Sequence, residues 1–184
     1  MPKLEKCSYS KGAYITNVSI TPEAVKRKLQ NLDPSKAQGP DCIPSKVLKE
    51  LSEELSQPLS SLFNISIETG VVPEDWRTAN VVAIFKKGTK SDPGNYRPVS
   101  LTCIISKVLE SLIRDEIVKY MTENELYSTC QHGFRQNKSC ITQLLEVMDD
   151  FTKLLDKGST LDVIYLDFKK AFDTVPHERL LLKI

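Results

Sequence analysis

The sequence predicts an α+β fold that is rich in helix and contains a small antiparallel sheet. Apolar residues recur at helical spacing in four long stretches between residues 21 and 156. Two short runs of β-branched and aromatic residues, Ala79–Phe85 and Leu161–Phe168, are typical of strands. The glycine-rich strings of Rossmann and P-loop proteins do not occur, which argues against those nucleotide-binding folds.

Composition indicates an ordinary globular chain of 184 residues, with 40% hydrophobic and 27% charged residues. The net charge of +1 excludes a globally basic nucleic-acid binder, so any such surface must be local. The five cysteines are odd in number, widely spaced and form no CxxC pair, which argues against a disulfide framework or zinc site. No apolar run approaches the ~20 residues that cross a bilayer. We therefore predict an intracellular protein, cytoplasmic or nuclear, that does not act in a membrane.

The N-terminal part begins with an irregular tail, predicted over residues 1–20. Thr21-Pro22-Glu23 is a helix start, and the helix is predicted to end at Asn31, with Lys26–Lys28 as a solvated basic face. Gly39-Pro40-Asp41 predicts a tight turn in a loop that locks one helix onto another. Pro44 is predicted to open a second helix, and a third helix is predicted over Ser52–Thr69.

Further sequence signals mark the end of the Ser52–Thr69 helix and the segment that follows it. Gly70 suits a helix C-cap, and Trp76, the only tryptophan, is expected to anchor the core between helix and strand. The strand Ala79–Phe85 leads into a basic loop, Lys86–Lys90, and then into the string NYRPVSL. A helix from Thr102 to about Met121 follows.

The C-terminal part contains the string QHGFR, residues 131–135, followed by a helix that Ser139 caps and that ends near Asp156. We expect the apolar stripe of this helix to face the core; its members are Ile141, Leu144, Leu145, Met148, Phe151 and Leu155. Next comes Leu161–Phe168, predicted as a strand buried on both faces. Asp167 ends that strand before a turn, where its carboxylate is placed to present a hard oxygen ligand to Mg²⁺.

Four strings occur in a fixed order, and together they resemble one family. They are KAQGPDCIP, the strand with its basic loop and NYRPVSL, QHGFR, and YLDFKKAFDTV. The set resembles the reverse transcriptases of non-LTR (LINE-type) retrotransposons, from about Lys36 to the end of the chain. The resemblance implies the fingers and a partial palm of a right-hand polymerase, so that residues 21–184 form one incomplete domain.

The resemblance also implies roles for particular residues. Asp167 would be the catalytic metal-binding carboxylate, helped by the backbone carbonyl of Phe168, and two Mg²⁺ ions would be used, with Mn²⁺ as a substitute. The nucleotide-binding residues would be Lys86, Arg97, Phe168 and Phe172, and the nucleic-acid-binding residues would be Gln131, Gly133, Arg135 and Lys138. The partners would be an RNA template, a DNA primer, deoxynucleoside triphosphates and the missing palm and thumb of the same polypeptide.

One part of the family's site is not found in this sequence. The second carboxylate cluster of the family is an aromatic-x-Asp-Asp hairpin, and no such string occurs. Asp149-Asp150 lies in a predicted amphipathic helix, and Asp162 is an odd number of residues from Asp167, which puts it on the opposite face of a strand. We therefore expect that this chain alone does not polymerise. Two alternatives stay open: a non-catalytic RNA- or nucleotide-binding remnant, and a degraded fragment without function.

Overall fold

The computed structural model describes Ile15, residues 18–168 and residues 174–181. Its described part contains six helices and one two-stranded sheet. The elements are α1 (Pro22–Gln30), α2 (Ser45–Glu50), α3 (Ser52–Thr69), β1 (Ala79–Phe85), β2 (Tyr96–Thr102), α4 (Ile104–Glu123), α5 (Cys140–Asp156) and α6 (His177–Leu181). Short 3-10 turns cover Glu74–Arg77 and Pro93–Asn95. The mixture of helix and a small antiparallel sheet agrees with the predicted α+β class.

The described residues fall into two compact units. The first unit contains Ile15 and residues 18–126, and the second contains residues 127–168 and 174–181. In the part of the chain that these ranges cover, no helix is both long and apolar enough to span a lipid bilayer.

The core of the first unit lies between α1, α3 and α4. Val25 and Leu29 of α1 and Phe63 of α3 are completely buried. Trp76 packs edge-on against Phe63, with ring centroids 5.7 Å apart, and is partly buried as the predicted anchor. Thr21 caps α1 by accepting a hydrogen bond from the Ala24 amide at 3.2 Å.

Two of the three basic residues of α1 do more than face water. Lys26 pairs with Glu53 of α3, and Lys28 pairs with Asp115 of α4. The interpretation of Lys26–Lys28 as a purely solvated face was therefore wrong for these two lysines. A sequence pattern can indicate a charged helix face. It does not show which acidic side chains of other helices form ion pairs with that face.

The loop before α2 is fixed by a close backbone approach. The amide of Cys42 donates to the Gly39 carbonyl at 3.2 Å, which closes the predicted turn. Gly39 packs directly on the backbone of Cys103, at the junction between β2 and α4. The loop was predicted to lock one helix onto another. It also packs against the backbone at the junction between β2 and α4.

The strands β1 and β2 form an antiparallel hairpin, with Val82 opposite Val99 and Ile84 opposite Arg97. Most residues of both strands are exposed. Because β2 continues to Thr102, helix α4 begins at Ile104 rather than at Thr102 as predicted.

In the second unit, α5 has the predicted bounds and a capping box formed by Ser139 and Thr142. Its apolar stripe was expected to be buried, and this was wrong: the side chains of Ile141, Leu145 and Leu155 are all more than half exposed. Helical periodicity predicts the face correctly, but burial requires a packing partner that the sequence pattern does not reveal.

The segment Leu161–Phe168 was predicted as a buried strand, and this was also wrong. The structure assigns no strand there, and residues 162–168 are exposed. Its composition suits a strand covered on both faces, but a strand needs a hydrogen-bonded neighbour. None of the described strands pairs with it.

Candidate nucleotide and nucleic-acid site

The basic loop between β1 and β2 is held in shape by its own hydrogen bonds. The Lys86 amide donates to the Asn95 carbonyl at 2.8 Å, and the Asn95 side chain donates to the Thr89 carbonyl at 2.9 Å. The Tyr96 hydroxyl donates to the Lys90 carbonyl at 2.8 Å. Gly88 has φ +89°, and a Cβ there would lie 2.7 Å from the Asn95 amide nitrogen. The loop thus has a defined conformation that depends on glycine at position 88.

Lys86 and Arg97 extend from the same face of the hairpin. Arg97 is paired with Ile84, and Lys86 follows β1 directly, two residues beyond Ile84. The Lys86 amide still bonds to the Asn95 carbonyl, so strand alternation continued by one residue puts all three side chains on one face. Both basic side chains are exposed, and neither has a hydrogen bond or ion pair with any described residue. This pair of free cations is suited to bind an anion with several oxygens, such as a phosphate chain.

The QHGFR loop is tied to α5 through His132. This residue is 3% exposed; its Nδ1 lies 2.9 Å from the Thr142 hydroxyl and its Nε2 lies 2.8 Å from a carboxylate oxygen of Glu146. Lys138 donates to the other carboxylate oxygen of Glu146 at 3.0 Å. The hydrogen bonds from Lys138 and then His132 lower the pKa of Glu146. Lys138, predicted to contact nucleic acid, is thus already paired within its own unit.

Arg135 is also held within the loop. Its guanidinium lies 5.0 Å from the centre of the Tyr127 ring, and it donates to the Ser128 carbonyl at 3.0 Å. Gln131 is exposed and donates to the Gly133 carbonyl at 3.3 Å. A Cβ at Gly133 would meet no atom within 4 Å, so the chain itself leaves this glycine open to approach. The loop therefore brings Gln131, Gly133 and Arg135 together on one short segment.

Asp167 and Phe168 are both exposed, in the segment for which the structure assigns no regular element. A carboxylate and a backbone carbonyl are oxygen donors of the type that Mg²⁺ prefers. In the ranges that the structure describes, however, no three His, Cys, Asp or Glu residues are grouped as a metal site requires. The donor set among the described residues therefore fits Mg²⁺ in kind. Phe172, the predicted sugar-screening residue, lies outside the described residues.

The structure places the predicted residues in both compact units. Lys86 and Arg97 belong to the first unit, whereas the QHGFR loop and Asp167 belong to the second. Sequence analysis missed the anchoring roles of His132 and Tyr127. His132 is ten residues from Thr142 and fourteen from Glu146. These spacings match no metal-ligand motif or helix pair, so the sequence did not indicate that the three side chains interact.

Comparison with known families identifies the chain. A family model described as "Reverse transcriptase (RNA-dependent DNA polymerase)" matches residues 84–184, more than half of the chain. The chain belongs to the reverse transcriptase family. The matched part of this reverse transcriptase chain includes Arg97, the QHGFR loop and Asp167, and begins two residues before Lys86.

Curated relatives come from non-LTR retrotransposons. This reverse transcriptase chain is 30% identical over 166 residues to the RNA-directed DNA polymerase from mobile element jockey of Drosophila melanogaster, covering 90% of the chain and 18% of that protein. It is 32% identical over 165 residues to the jockey polymerase of Drosophila funebris, covering 89% and 18%. A third relative is the Pol polyprotein from type-1 retrotransposable element R1 of Bradysia coprophila, 25% identical over 157 residues, covering 81% and 15%. The chain thus spans less than a fifth of the length of these relatives.

Proposed function

We propose that this chain supplies the fingers and the beginning of the palm of a right-hand RNA-directed DNA polymerase. Membership of the reverse transcriptase family supports the proposal. The observation that carries it is the pair of exposed, unpartnered cations, Lys86 and Arg97, on one face of a shaped hairpin. In this proposal the hairpin binds the triphosphate of the incoming nucleotide, and the QHGFR loop contacts the RNA template.

The two cations would act differently on the triphosphate. The planar guanidinium of Arg97 binds two phosphate oxygens at once, whereas the Lys86 ammonium acts as a mobile point charge. Nucleotidyl transfer gathers negative charge on the phosphate oxygens in the transition state, so both cations would orient the nucleotide and stabilise that charge. The hydrogen bonds around Asn95 keep the hairpin in the conformation that holds them on one face.

Asp167 would be the carboxylate that this chain contributes to the metal site, with the carbonyl of Phe168 beside it. Mg²⁺ commonly binds one or two carboxylates and completes its shell with waters and substrate phosphates. When bound, the metal ions would neutralise phosphate charge and activate the primer 3′-hydroxyl. Phe172, outside the described residues, keeps its proposed role beside the sugar of the nucleotide.

Binding of a fluorescent deoxynucleoside triphosphate analogue to the 184-residue chain, with Mg²⁺ present, tests the hairpin. Arg97→Gln and Lys86→Gln should each weaken binding by about ten-fold or more, since each removes a charge-assisted hydrogen bond. Arg97→Lys should give an intermediate loss, because it keeps the charge but not the planar fork.

Lys107→Gln is the matched control. Lys107 is an exposed lysine of α4 in the same unit, and its removal changes the net charge equally. If Lys107→Gln weakens binding as much as Lys86→Gln does, the effect is general electrostatics and the hairpin site is rejected.

We further propose that the 184-residue chain does not extend a primer by itself. Asp167 has no second carboxylate cluster beside it among the described residues, and the two-metal scheme needs one. A primer-extension assay with an RNA template, a DNA primer and Mg²⁺ should give no incorporation above background. Incorporation by the purified chain that Asp167→Asn abolishes would overturn this.

A second candidate function is a non-catalytic RNA-binding module. The observation that favours it is the intact basic hairpin and QHGFR loop, beside which the described residues include no group of three His, Cys, Asp or Glu that could hold a metal ion. This candidate predicts RNA binding that falls steeply with salt and does not change when Mg²⁺ is chelated. RNA or nucleotide binding that requires Mg²⁺ and Asp167 would favour the polymerase fragment instead.

A further inference from the structure

Phe134 has an unusual combination of exposure and backbone conformation. Its side chain is fully exposed, and its φ is +61°. A left-handed conformation is uncommon for a bulky residue and costs on the order of 1–3 kcal/mol. No aromatic contact of Phe134 offsets this cost within the part of the chain that the structure describes. An exposed, strained aromatic that stabilises nothing in its own unit is a candidate for function.

The residues on both sides of Phe134 are fixed. Two residues earlier, His132 is buried and bonded to Thr142 and Glu146 of α5. On the other side, Arg135 lies over the ring of Tyr127 and donates to the Ser128 carbonyl. These two anchors hold the short segment between them, and so they offset the strain and keep Phe134 directed into solvent.

We propose that Phe134 is a stacking platform for an unpaired base of single-stranded RNA. This inference rests on the proposed contact between the QHGFR loop and nucleic acid, and it adds a specific residue and a specific interaction. A base stacked on an aromatic side chain contributes about 1–3 kcal/mol, whatever its sequence. The space around Gly133, where even an added Cβ would have no neighbour within 4 Å, leaves room for a base to approach the adjacent ring.

The surroundings of Phe134 favour a nucleic acid over an apolar protein surface. Gln131, Gln136 and Asn137 nearby are exposed polar residues, and Arg135 adds a positive charge. The acid that contacts this loop, Glu146, already accepts hydrogen bonds from its own unit. A protein-docking site would be expected to surround its aromatic anchor with apolar neighbours. Single aromatics among polar and cationic groups are instead typical of surfaces that bind unpaired bases.

The test uses the 184-residue chain and a short unstructured RNA that carries 2-aminopurine, whose fluorescence falls when the base stacks. Phe134→Leu keeps an apolar side chain but removes the ring, and it should weaken binding roughly five-fold to a hundred-fold. Phe134→Tyr keeps the ring and should bind about as well as the unsubstituted chain. The fluorescence quenching should be lost with leucine and kept with tyrosine.

Two further variants separate stacking from misfolding and from general loss of apolar surface. Phe134→Asn should unfold at the same or a higher urea concentration, because asparagine tolerates the left-handed conformation, yet it should lose RNA binding. Ile141→Ala removes an exposed apolar side chain from α5 of the same unit and should leave RNA binding unchanged.

The outcomes distinguish this inference from the function on which it rests. If the chain binds RNA but Phe134→Leu binds equally well, or no quenching occurs, stacking is overturned and the role of the loop in RNA binding stands. If the unsubstituted chain does not bind RNA, both this inference and the nucleic-acid part of the proposed function are overturned.

Discussion

Gly39 lies where the loop before α2 touches the backbone at the start of α4. A Cβ at this position would lie 2.6 Å from the Cα and amide nitrogen of Cys103 and 2.7 Å from the carbonyl carbon of Thr102. These are backbone atoms, and Cys103 is completely buried, so neither side of the contact can move freely. The absence of a side chain at residue 39 is therefore a packing requirement.

We expect Gly39→Ala to lower the free energy of unfolding by about 1–3 kcal/mol, because it forces backbone atoms apart in a packed region. Urea denaturation of the chain, followed by Trp76 fluorescence, measures this change. Trp76 packs on Phe63 in the same unit and so reports on its core.

Gly94→Ala is the control for that substitution. A Cβ at Gly94 would approach only the Asp92 carboxylate, at 3.2 Å, and that side chain can turn away. Its effect should be clearly smaller. Equal destabilisation by the two variants would show that the contact between Gly39 and Cys103 is not what requires glycine.

Residues that act through local chemistry were the easiest to predict from the sequence. The cap at Thr21 and the C-cap at Gly70, which has φ +67°, depend on the residue type and its nearest neighbours in the chain. His132 depends instead on partners ten and fourteen residues away, and Phe134 on anchors around it. Such positions follow from tertiary packing, which no local pattern encodes.

At the scale of elements, α1 is joined to α4 by the pair Lys28 and Asp115. The hydrogen bond from Lys28 is the main cause that lowers the pKa of Asp115, and one from Arg114 adds to it. A carboxyl whose pKa is lower in the folded state stabilises the fold above its unfolded value, near 3.8, and loses that contribution as the pH falls through the folded value. The contribution should therefore be constant near neutral pH and disappear in acid below about pH 4.

A double-mutant cycle with Lys28→Met and Asp115→Asn measures this contribution as a function of pH. We expect a coupling energy of about 0.2–1 kcal/mol near pH 7, because the Asp115 side chain is 44% exposed and solvent screens the pair. The coupling should vanish in acid and fall in high salt. A coupling that persists unchanged at pH 2 would mean that the two side chains interact through packing, not charge.

Elements with their own periodicity were predicted well, and elements that need partners were not. The bounds of α3 and β1 match the predictions, since each has a clear apolar pattern and clear end signals. Leu161–Phe168 has an equally clear strand pattern but forms no strand. Its apolar pattern is typical of a strand that other elements cover on both faces. The described residues do not cover it in this way.

At the scale of the whole molecule, many large apolar side chains of the described residues are exposed. The stripe on α5 contributes Ile141, Leu144, Leu145 and Met148, each more than half exposed. In the same unit, Ile164, Tyr165 and Leu166 are more than four-fifths exposed. Apolar patches of this kind mark either an interaction surface or a tendency to associate. We therefore expect the isolated 184-residue chain to self-associate as its concentration rises.

The double variant Ile141→Glu and Leu145→Lys tests the contribution of α5. It places a glutamate in the first turn and a lysine four residues later, an orientation that favours the helix while it removes two exposed apolar side chains. Sedimentation velocity over a range of concentrations should show a larger monomer fraction, with helical circular dichroism unchanged. Gln143→Glu adds charge at a polar position of the same helix and should leave the association as it is. If the double variant associates as strongly as the unsubstituted chain, the α5 stripe is not the surface through which the molecules meet, and the exposed segment around Tyr165 becomes the next one to change.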